Sequence, residues 1–197
     1  DDIQGIIVRG YAKLKAACFV FLRITDAGKA RPWLAGMADK IQDGKTKPVN
    51  ACLNIAFTSE GLRALRLDSQ ALSLFSNEFN EGMTGEHRSR ILGDHGESAP
   101  DKWQWGGPNS EKIHILLLLY ARDEETLQTF YNDISVDFEN AGLTKVGKVL
   151  DTLSLNGKEH FGFEDGISQP IIAGLSKTGT RENTVRAGEF ILGYPNE

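Results

Sequence analysis

An aspartate flanked by two glycines is the feature of this sequence that points most directly to chemistry. Residues 161–167 read FGFEDGI, which places Asp165 between Gly162 and Gly166. Glycines let a backbone turn sharply or approach a flat ligand closely, so the carboxylate would be presented at the tip of the turn. Its apolar neighbours would exclude water and favour acid/base work. The same pattern fits an ordinary Gly-Asp turn with an Asx hydrogen bond, and the pattern alone leaves both interpretations open.

The histidines are the next candidates, because imidazole serves both as a base and as a metal ligand. The sequence contains His87, His95, His114 and His160. His114 lies in an apolar run, which favours a packed core histidine. His87 and His95 flank a polar segment and a Gly-Asp turn, and we expect both to be solvated. Together with Asp94 they do not give a metal-ligand spacing on a regular element.

Two tryptophans and two cysteines could carry redox chemistry. Trp103 and Trp105 belong to the segment WQWGGP, which could relay electrons from bulky donors at the surface or could pack a long loop. Cys18 and Cys52 each lie in an apolar stretch, which predicts two buried, reduced thiols. A disulfide between them would require the two stretches to be neighbouring strands.

The elements that must position these residues follow from hydrophobic periodicity. Four short runs rich in β-branched and aromatic residues predict strands at 17–24, 50–57, 113–120 and 146–155. Asp26 predicts the cap of a helix after the first strand, with Pro32 in its first turn. Asp123 predicts the cap of a second helix, which Gly142 ends.

In order, the elements read β-α-β, a long insertion at about 58–111, and then β-α-β. This order predicts an α+β fold: a ferredoxin-like antiparallel sheet with helices on one face. Composition changes near Asn156, after which the chain is rich in glycine and has a strand-like run at Glu189–Leu192. We therefore expect an N-terminal domain at 1–155 and the incomplete start of a second ferredoxin-like unit at 156–197.

Four segments of the chain resemble one enzyme family. Gly162–Gly166 matches the GxxDG motif of the dye-decolorizing (DyP-type) haem peroxidases. Asp2–Gly5, Leu53–Thr58 and Gly188–Glu197 look like stretches of the same family, in the expected order. The motif alone is a weak pattern, whereas four ordered segments are specific. The resemblance covers the chain and implies the N-terminal portion of a protein whose two ferredoxin-like units hold haem.

The resemblance also implies roles for residues of the motif. Asp165 corresponds to the distal acid/base, which takes a proton from hydrogen peroxide and returns it to the departing oxygen. Gly166, Ile167 and Ser168 would lie against the porphyrin of heme b. The electron donor would be a bulky aromatic compound such as a dye. An aspartate has a reference pKa of about 3.9, against about 6.5 for histidine, so we expect an acidic pH optimum.

The same resemblance implies that this chain lacks part of the site. In the family, the proximal histidine that ligates iron and a distal arginine come from the second unit, beyond Glu197. His160 lies on the wrong side of the motif to be that ligand, so no metal ligand is expected here. The chain alone would be inactive, and the C-terminal half would come from the same or a companion polypeptide. Two alternatives remain: a non-catalytic ferredoxin-like binding module, and a related haem enzyme with another activity.

Composition excludes several other classes. The 197 residues include 22 Lys+Arg and 27 Asp+Glu, a net charge of −5, which argues against sequence-independent binding of nucleic acid. No apolar run approaches the roughly 20 residues that span a membrane, and the first residues are not a signal peptide. We expect a soluble protein without membrane contact, with the cytoplasm favoured over export, and homo-oligomerisation remains open.

Overall fold

Four strands form one antiparallel sheet. The computed structural model describes residues 3–155, 158–159, 161–164, 170–175, 180–191 and 193–196. The strands are β1 (Ala16–Ile24), β2 (Ala51–Phe57), β3 (Ile115–Ala121) and β4 (Leu143–Asp151). Their order across the sheet is β2-β3-β1-β4, and each neighbouring pair is antiparallel. This order is that of a ferredoxin-like fold, and the predicted fold class is confirmed.

Helices lie before β1 and in the connections between the strands. In the described part of the chain they are α1 (Gly5–Val8), α2 (Ala27–Met37), α3 (Ser59–Ala64), α4 (Ser69–Ser73), α5 (Asn77–Glu81), α6 (Glu86–Leu92) and α7 (Glu124–Ser135). Two short strands, β5 (Ile171–Ile172) and β6 (Thr184–Val185), form a separate parallel pair near the C-terminus.

The core lies between one face of the sheet and helices α2 and α7. Side chains alternate in burial along β3, because successive residues of a strand point to opposite faces. The fully buried Leu117 and Leu119 face the helices, where Leu127 of α7 is also buried. The rings of Trp33 and Phe138 meet edge to face, with centroids 5.8 Å apart. Helices α2 and α7 therefore cover one face of the sheet. Other segments of the chain contact its second face.

Both predicted helix caps are present, but α7 ends at Ser135 and not at Gly142 as predicted, and a second predicted position is also wrong. The Asp26 carboxylate accepts hydrogen bonds from the backbone N–H groups of Gly28 and Lys29. The Asp123 carboxylate accepts one from the N–H of Thr126. However, α2 begins at Ala27, so Pro32 lies inside the helix and not in its first turn. Because proline has no N–H, the helix loses one of its internal hydrogen bonds there.

The segment between β2 and β3 is more helical than its irregular sequence predicts, since α4 and α5 were not expected. One side chain ties these short helices together. The Asn80 amide donates to the carbonyls of Leu72 and Phe75, at 3.0 and 3.2 Å, while its oxygen accepts from the Ser59 hydroxyl at 3.1 Å. These contacts fix α5 against α4 and α3.

Helix α3 in turn packs closely against the residue that precedes β3. A Cβ on Gly61 would lie 2.1 Å from the carbonyl oxygen of His114, so only glycine fits without a backbone shift. The same carbonyl accepts a hydrogen bond from the N–H of Thr58 at 3.1 Å. The first helix of the segment is therefore held rigidly against the sheet.

The predicted strand-like run near the C-terminus is wrong for the residues described. Ala187–Glu189 form a 3-10 turn, and the Gly188 N–H donates to the carbonyl of Pro195 at 2.9 Å. A further bond runs from the Arg186 guanidinium to the carbonyl of Asn196 at 3.1 Å. These hydrogen bonds hold the segment in a loop. They outweigh the β-propensity of its residues, so the described residues form no strand there.

Candidate functional site

A tight turn leads into the predicted acid/base motif. The Glu159 N–H donates to the carbonyl of Phe163 at 2.9 Å, and the Gly162 N–H donates to the carbonyl of Glu159 at 2.8 Å. Gly162 has a φ of +85°, a left-handed conformation that favours glycine. The first glycine of the motif therefore makes the sharp turn that its position predicts.

The two phenylalanines of this turn are not packed into the chain. Phe161 is 90% exposed and Phe163 is 73% exposed. Because Asp165 lies outside the described residues, the expectation that its apolar neighbours exclude water from it stays a prediction. The two exposed rings offer apolar surface that a large flat ligand or another domain could cover.

The predicted site residues Asp165, Gly166, Ile167 and Ser168 lie outside the described residues, as does His160. The flanking segments are described on both sides. Ile172 of β5 is buried, and β5 pairs with β6 in parallel. The described residues before Asp165 thus form an exposed aromatic turn, and those after Ser168 include a short paired strand.

Of the described histidines, His114 has a structural role. Its Nδ1 accepts a hydrogen bond from the backbone N–H of Ile24 at 3.1 Å, and the backbone N–H of His114 donates to the carbonyl of Leu22 at 2.9 Å. Burial lowers the pKa of His114; the nearby Glu60 carboxylate opposes this shift, and the positive charges of Arg23 and Lys112 reinforce it. This neutral imidazole joins the ends of β1 and β3, as expected for a packed histidine.

The other described histidines lie in the segment between β2 and β3. His87 is half exposed, with Nε2 3.3 Å from a carboxylate oxygen of Glu81, and His95 is exposed. Among the residues that the structure describes, no group of three or more His, Cys, Asp or Glu could hold a metal ion. No helix within the same residues is long and apolar enough to cross a membrane.

The two cysteines are free and buried, which confirms the prediction of reduced thiols. Cys52 of β2 lies opposite Tyr120 of β3, whereas Cys18 of β1 lies opposite Leu119. Adjacent residues of β3 point to opposite faces, so the two thiols lie on opposite faces of the sheet and cannot form a disulfide. Burial raises the pKa of each thiol to about 11, which makes both poor nucleophiles.

The two tryptophans of the WQWGGP segment differ in their surroundings. The indole N–H of Trp103 donates to the carbonyl of Ser98 at 2.8 Å, which fits a role in packing its loop. Trp105 is 51% exposed, and its ring lies against Phe21 of β1 with centroids 4.9 Å apart. It therefore extends the apolar surface of the second sheet face.

A cavity of about 440 Å³ lies beside Trp105, and sequence reasoning did not identify it. Its floor includes Phe21 and Leu116 of the second sheet face, and Arg63 of α3 and Phe79 of α5 form part of its walls. These residues come from four separate elements. No local motif joins them, so no signal in the sequence alone could have found the cavity.

The chain matches a family model described as the DyP dimeric alpha+beta barrel domain, over residues 2–152. It is 31% identical to a dye-decolorizing peroxidase of Exidia glandulosa over 210 residues, covering 100% of this chain and 39% of that protein. It is 30% identical to dye-decolorizing peroxidase AauDyP1 of Auricularia auricula-judae, covering 100% of this chain and 38% of that protein. The chain thus spans about two fifths of the length of these relatives.

Solved structures give the same result. A dye-decolorizing peroxidase in complex with 2,6-dimethoxyphenol superposes with a TM-score of 0.72 at 29% identity, covering 98% of this chain and 44% of that one. A crystal structure of a decolorizing peroxidase from Auricularia auricula-judae gives a TM-score of 0.77 at 26% identity, over 99% of this chain and 43% of that one. The chain therefore belongs to the dye-decolorizing peroxidase family and corresponds to an N-terminal part of its members.

Proposed function

We propose that this chain is the N-terminal part of a haem-dependent peroxidase that oxidises bulky aromatic compounds such as dyes with hydrogen peroxide. The similarity to dye-decolorizing peroxidases along the whole chain is the observation that carries the proposal. The ferredoxin-like strand order supports it from the structure. The rest of the polypeptide would contribute the iron ligand and a distal arginine.

Heme b is the cofactor that we propose. The turn before the motif offers two exposed phenyl rings, Phe161 and Phe163, and such a surface suits the apolar face of a porphyrin or the domain that holds it. Gly166, Ile167 and Ser168, which follow the turn, would lie against the cofactor. When bound, the haem supplies the redox chemistry that reduces peroxide and oxidises the donor.

Asp165 would act as the distal acid/base. Its carboxylate takes a proton from one oxygen of hydrogen peroxide and delivers it to the other, so that the departing oxygen leaves as water. A carboxyl group suits this role at low pH, because its reference pKa of about 3.9 keeps it ionised where a histidine would be protonated. The proposal therefore includes an acidic optimum for turnover.

The domain division proposed from the sequence places an N-terminal unit at 1–155 and the start of a second unit at 156–197. Two observations support it. Strand β4, the last strand of the sheet, ends at Asp151, and the family model match ends at residue 152. The motif would then lie at the beginning of the second unit, where the haem would be held.

The test is made on the full-length polypeptide that carries this chain, loaded with haem. We expect a Soret band in its absorption spectrum and peroxide-dependent oxidation of an anthraquinone dye, faster at pH 4 than at pH 7. Asp165→Asn should leave the Soret band in place and slow the reaction with peroxide by about 100-fold or more in stopped-flow measurements.

Glu164→Gln is the matched control, because it removes one negative charge at the neighbouring exposed position. It should change the peroxide reaction by less than about twofold, since a solvated carboxylate contributes little. An unchanged rate in Asp165→Asn would assign the acid/base role to another residue. Failure of the full-length protein to retain haem would instead favour a non-catalytic binding module.

A further inference from the structure

We propose that the cavity beside Trp105 is a binding site for a small aromatic carboxylate. Its volume of about 440 Å³ falls within the range of about 300–1,000 Å³ typical of small-molecule sites. The proposal concerns a binding step that needs neither haem nor peroxide. The binding proposal can therefore be wrong while the proposed peroxidase activity is right, and the peroxidase proposal can be wrong while the binding proposal is right.

The apolar part of the cavity suits an aromatic ring. Phe21 and Leu116 form the floor, while Trp105 and Phe79 offer ring faces at the sides. Trp105 is 51% exposed although its indole ring lies against Phe21. Aromatic rings that are open on one side gain from stacking with another ring, so the lining favours a planar apolar ligand.

One cation of the cavity lining has no carboxylate partner in the part of the chain that the structure describes. Three carboxylates line the cavity, and each contacts a cation: Glu60 with Lys112, Glu111 with Arg23, and Glu81 with Arg88, which also contacts Glu78. Arg63 also lines the cavity, and no carboxylate among the described residues pairs with it. Arg63 is therefore the cation of the lining that a bound carboxylate would pair with.

The Arg63 guanidinium is held in place by neutral groups. It donates to the hydroxyl of Ser59 and to the side-chain oxygen of Asn80. These two bonds orient the guanidinium without neutralising it, and they leave N–H donors free. An arginine oriented in this way suits a carboxylate, which it can bind through paired hydrogen bonds.

The cavity wall is rigid enough for such a ligand. Asn80 is itself fixed by bonds to α4, and Gly61 packs against His114 with no room for a side chain. Helices α3 and α5 therefore keep their positions relative to the sheet, and with them Arg63 and Phe79. A site whose walls are fixed in advance loses less entropy on binding.

The experiment measures binding of 2-naphthoate to the haem-loaded, full-length protein by isothermal titration calorimetry. Its neutral counterpart, 2-naphthalenemethanol, reports the apolar contribution alone. We expect 2-naphthoate to bind with a Kd below about 1 mM, and more tightly than the alcohol. Arg63→Gln should weaken naphthoate binding about tenfold or more and change the alcohol Kd by less than about twofold.

Three further variants keep the test decisive. Arg63→Lys retains the charge and should keep part of the preference for the carboxylate, even if Arg63→Gln proves unstable. Trp105→Ala should weaken both ligands, because it removes a ring face. Arg90→Gln is the matched control: it removes one positive charge from α6, outside the cavity lining, and should leave both affinities unchanged.

Two results would overturn the proposal. The first is that 2-naphthoate does not bind, or that its binding is unaffected by Arg63→Gln, Arg63→Lys and Trp105→Ala. The cavity would then not be its site. This result is expected if the remainder of the polypeptide fills the cavity. If Arg63→Gln weakens both ligands equally, Arg63 only supports the wall and the proposed carboxylate recognition is wrong.

Discussion

The side chain of Gln4 hydrogen-bonds both backbone groups of Ile55 at the edge of the sheet. Its Nε2 donates to the carbonyl oxygen of Ile55 at 2.8 Å, and its Oε1 accepts from the Ile55 N–H at 2.9 Å. The amide thus takes the place that a neighbouring strand would occupy beside β2. This pairing gives a physical reason for a glutamine in the N-terminal segment that resembles the family. It covers the edge of β2 at Ile55, next to the place where Ile41 pairs with Leu53.

The contact extends into the buried side chain of Asn54. The Asn54 amide donates to Oε1 of Gln4 at 3.2 Å, and its oxygen accepts from the Tyr11 hydroxyl at 2.8 Å. Asn54 is fully buried, so its polar atoms depend on these partners. The N-terminal segment is therefore part of the folded domain.

Gln4→Ala should lower the free energy of unfolding by about 1–3 kcal/mol, because it leaves the backbone N–H and carbonyl of the buried Ile55 without their partner and removes one hydrogen bond of Asn54. Urea unfolding followed by circular dichroism measures the change. Gln128→Ala is the control, since the Gln128 amide bonds only to Asn132 on the exposed side of α7. It should cost less than about 0.5 kcal/mol. Equal effects of the two substitutions would refute a special role for Gln4.

Gly61→Ala should destabilise the fold by about 2 kcal/mol or more, because the added methyl group would collide with the carbonyl of His114. Gly36→Ala, in α2, offers the opposite case. A Cβ at Gly36 meets nothing within 4 Å, so that substitution should stabilise the protein by up to about 1 kcal/mol. Thermal unfolding of the two variants should shift the Tm in opposite directions. A tolerated Gly61→Ala would show that α3 can move away from the sheet.

The domain should lose stability as the pH falls, in part because of His114. Burial lowers the pKa of His114, so the unfolded chain binds a proton more readily than the folded one. This contribution is complete above the ordinary pKa of 6.5 and is lost as the pH falls through the lowered folded value.

His114→Asn should flatten the pH dependence of the unfolding free energy between pH 7.5 and pH 5. It can keep an acceptor for the Ile24 N–H while removing the titratable ring. Urea unfolding at several pH values measures the slope. His95→Asn, at an exposed position outside the contact between β1 and β3, is the control variant. A slope unchanged in His114→Asn would mean that another group is responsible.

Cys18 and Cys52 should resist alkylation while the protein is folded. Burial raises the pKa of both thiols to about 11, and the thiolate is the reactive form. Iodoacetamide at pH 8.5 should label both residues in urea and neither in native buffer, as read by mass spectrometry. The raised pKa values also affect stability. Below the unfolded pKa of about 9, both thiols are protonated and stabilise the folded state relative to the unfolded chain. This contribution to the free energy of unfolding is lost as the pH rises toward about 11. Rapid native labelling of either residue would contradict this burial.

The sequence by itself predicted the architecture of the sheet. The four strands and the capped helices produce strong local patterns, because apolar residues must recur with the period of the element that buries them. That order of elements is compatible with few topologies, and the ferredoxin-like order was among them. The GxxDG motif and three further segments were sufficient to identify the family.

Only the tertiary structure decided how distant segments meet. The register of β2 and β1 against β3 placed Cys52 and Cys18 on opposite faces of the sheet, which no local pattern reveals. Helices α4 and α5 depend on Asn80, whose hydrogen bonds reach residues on both of the preceding short helices. The cavity that Arg63 lines exists because helices α3 and α5, the loop that carries Trp105 and three strands of the sheet converge there. Such contacts join residues far apart in the chain, and hydrophobic periodicity contains no information about which of them become neighbours.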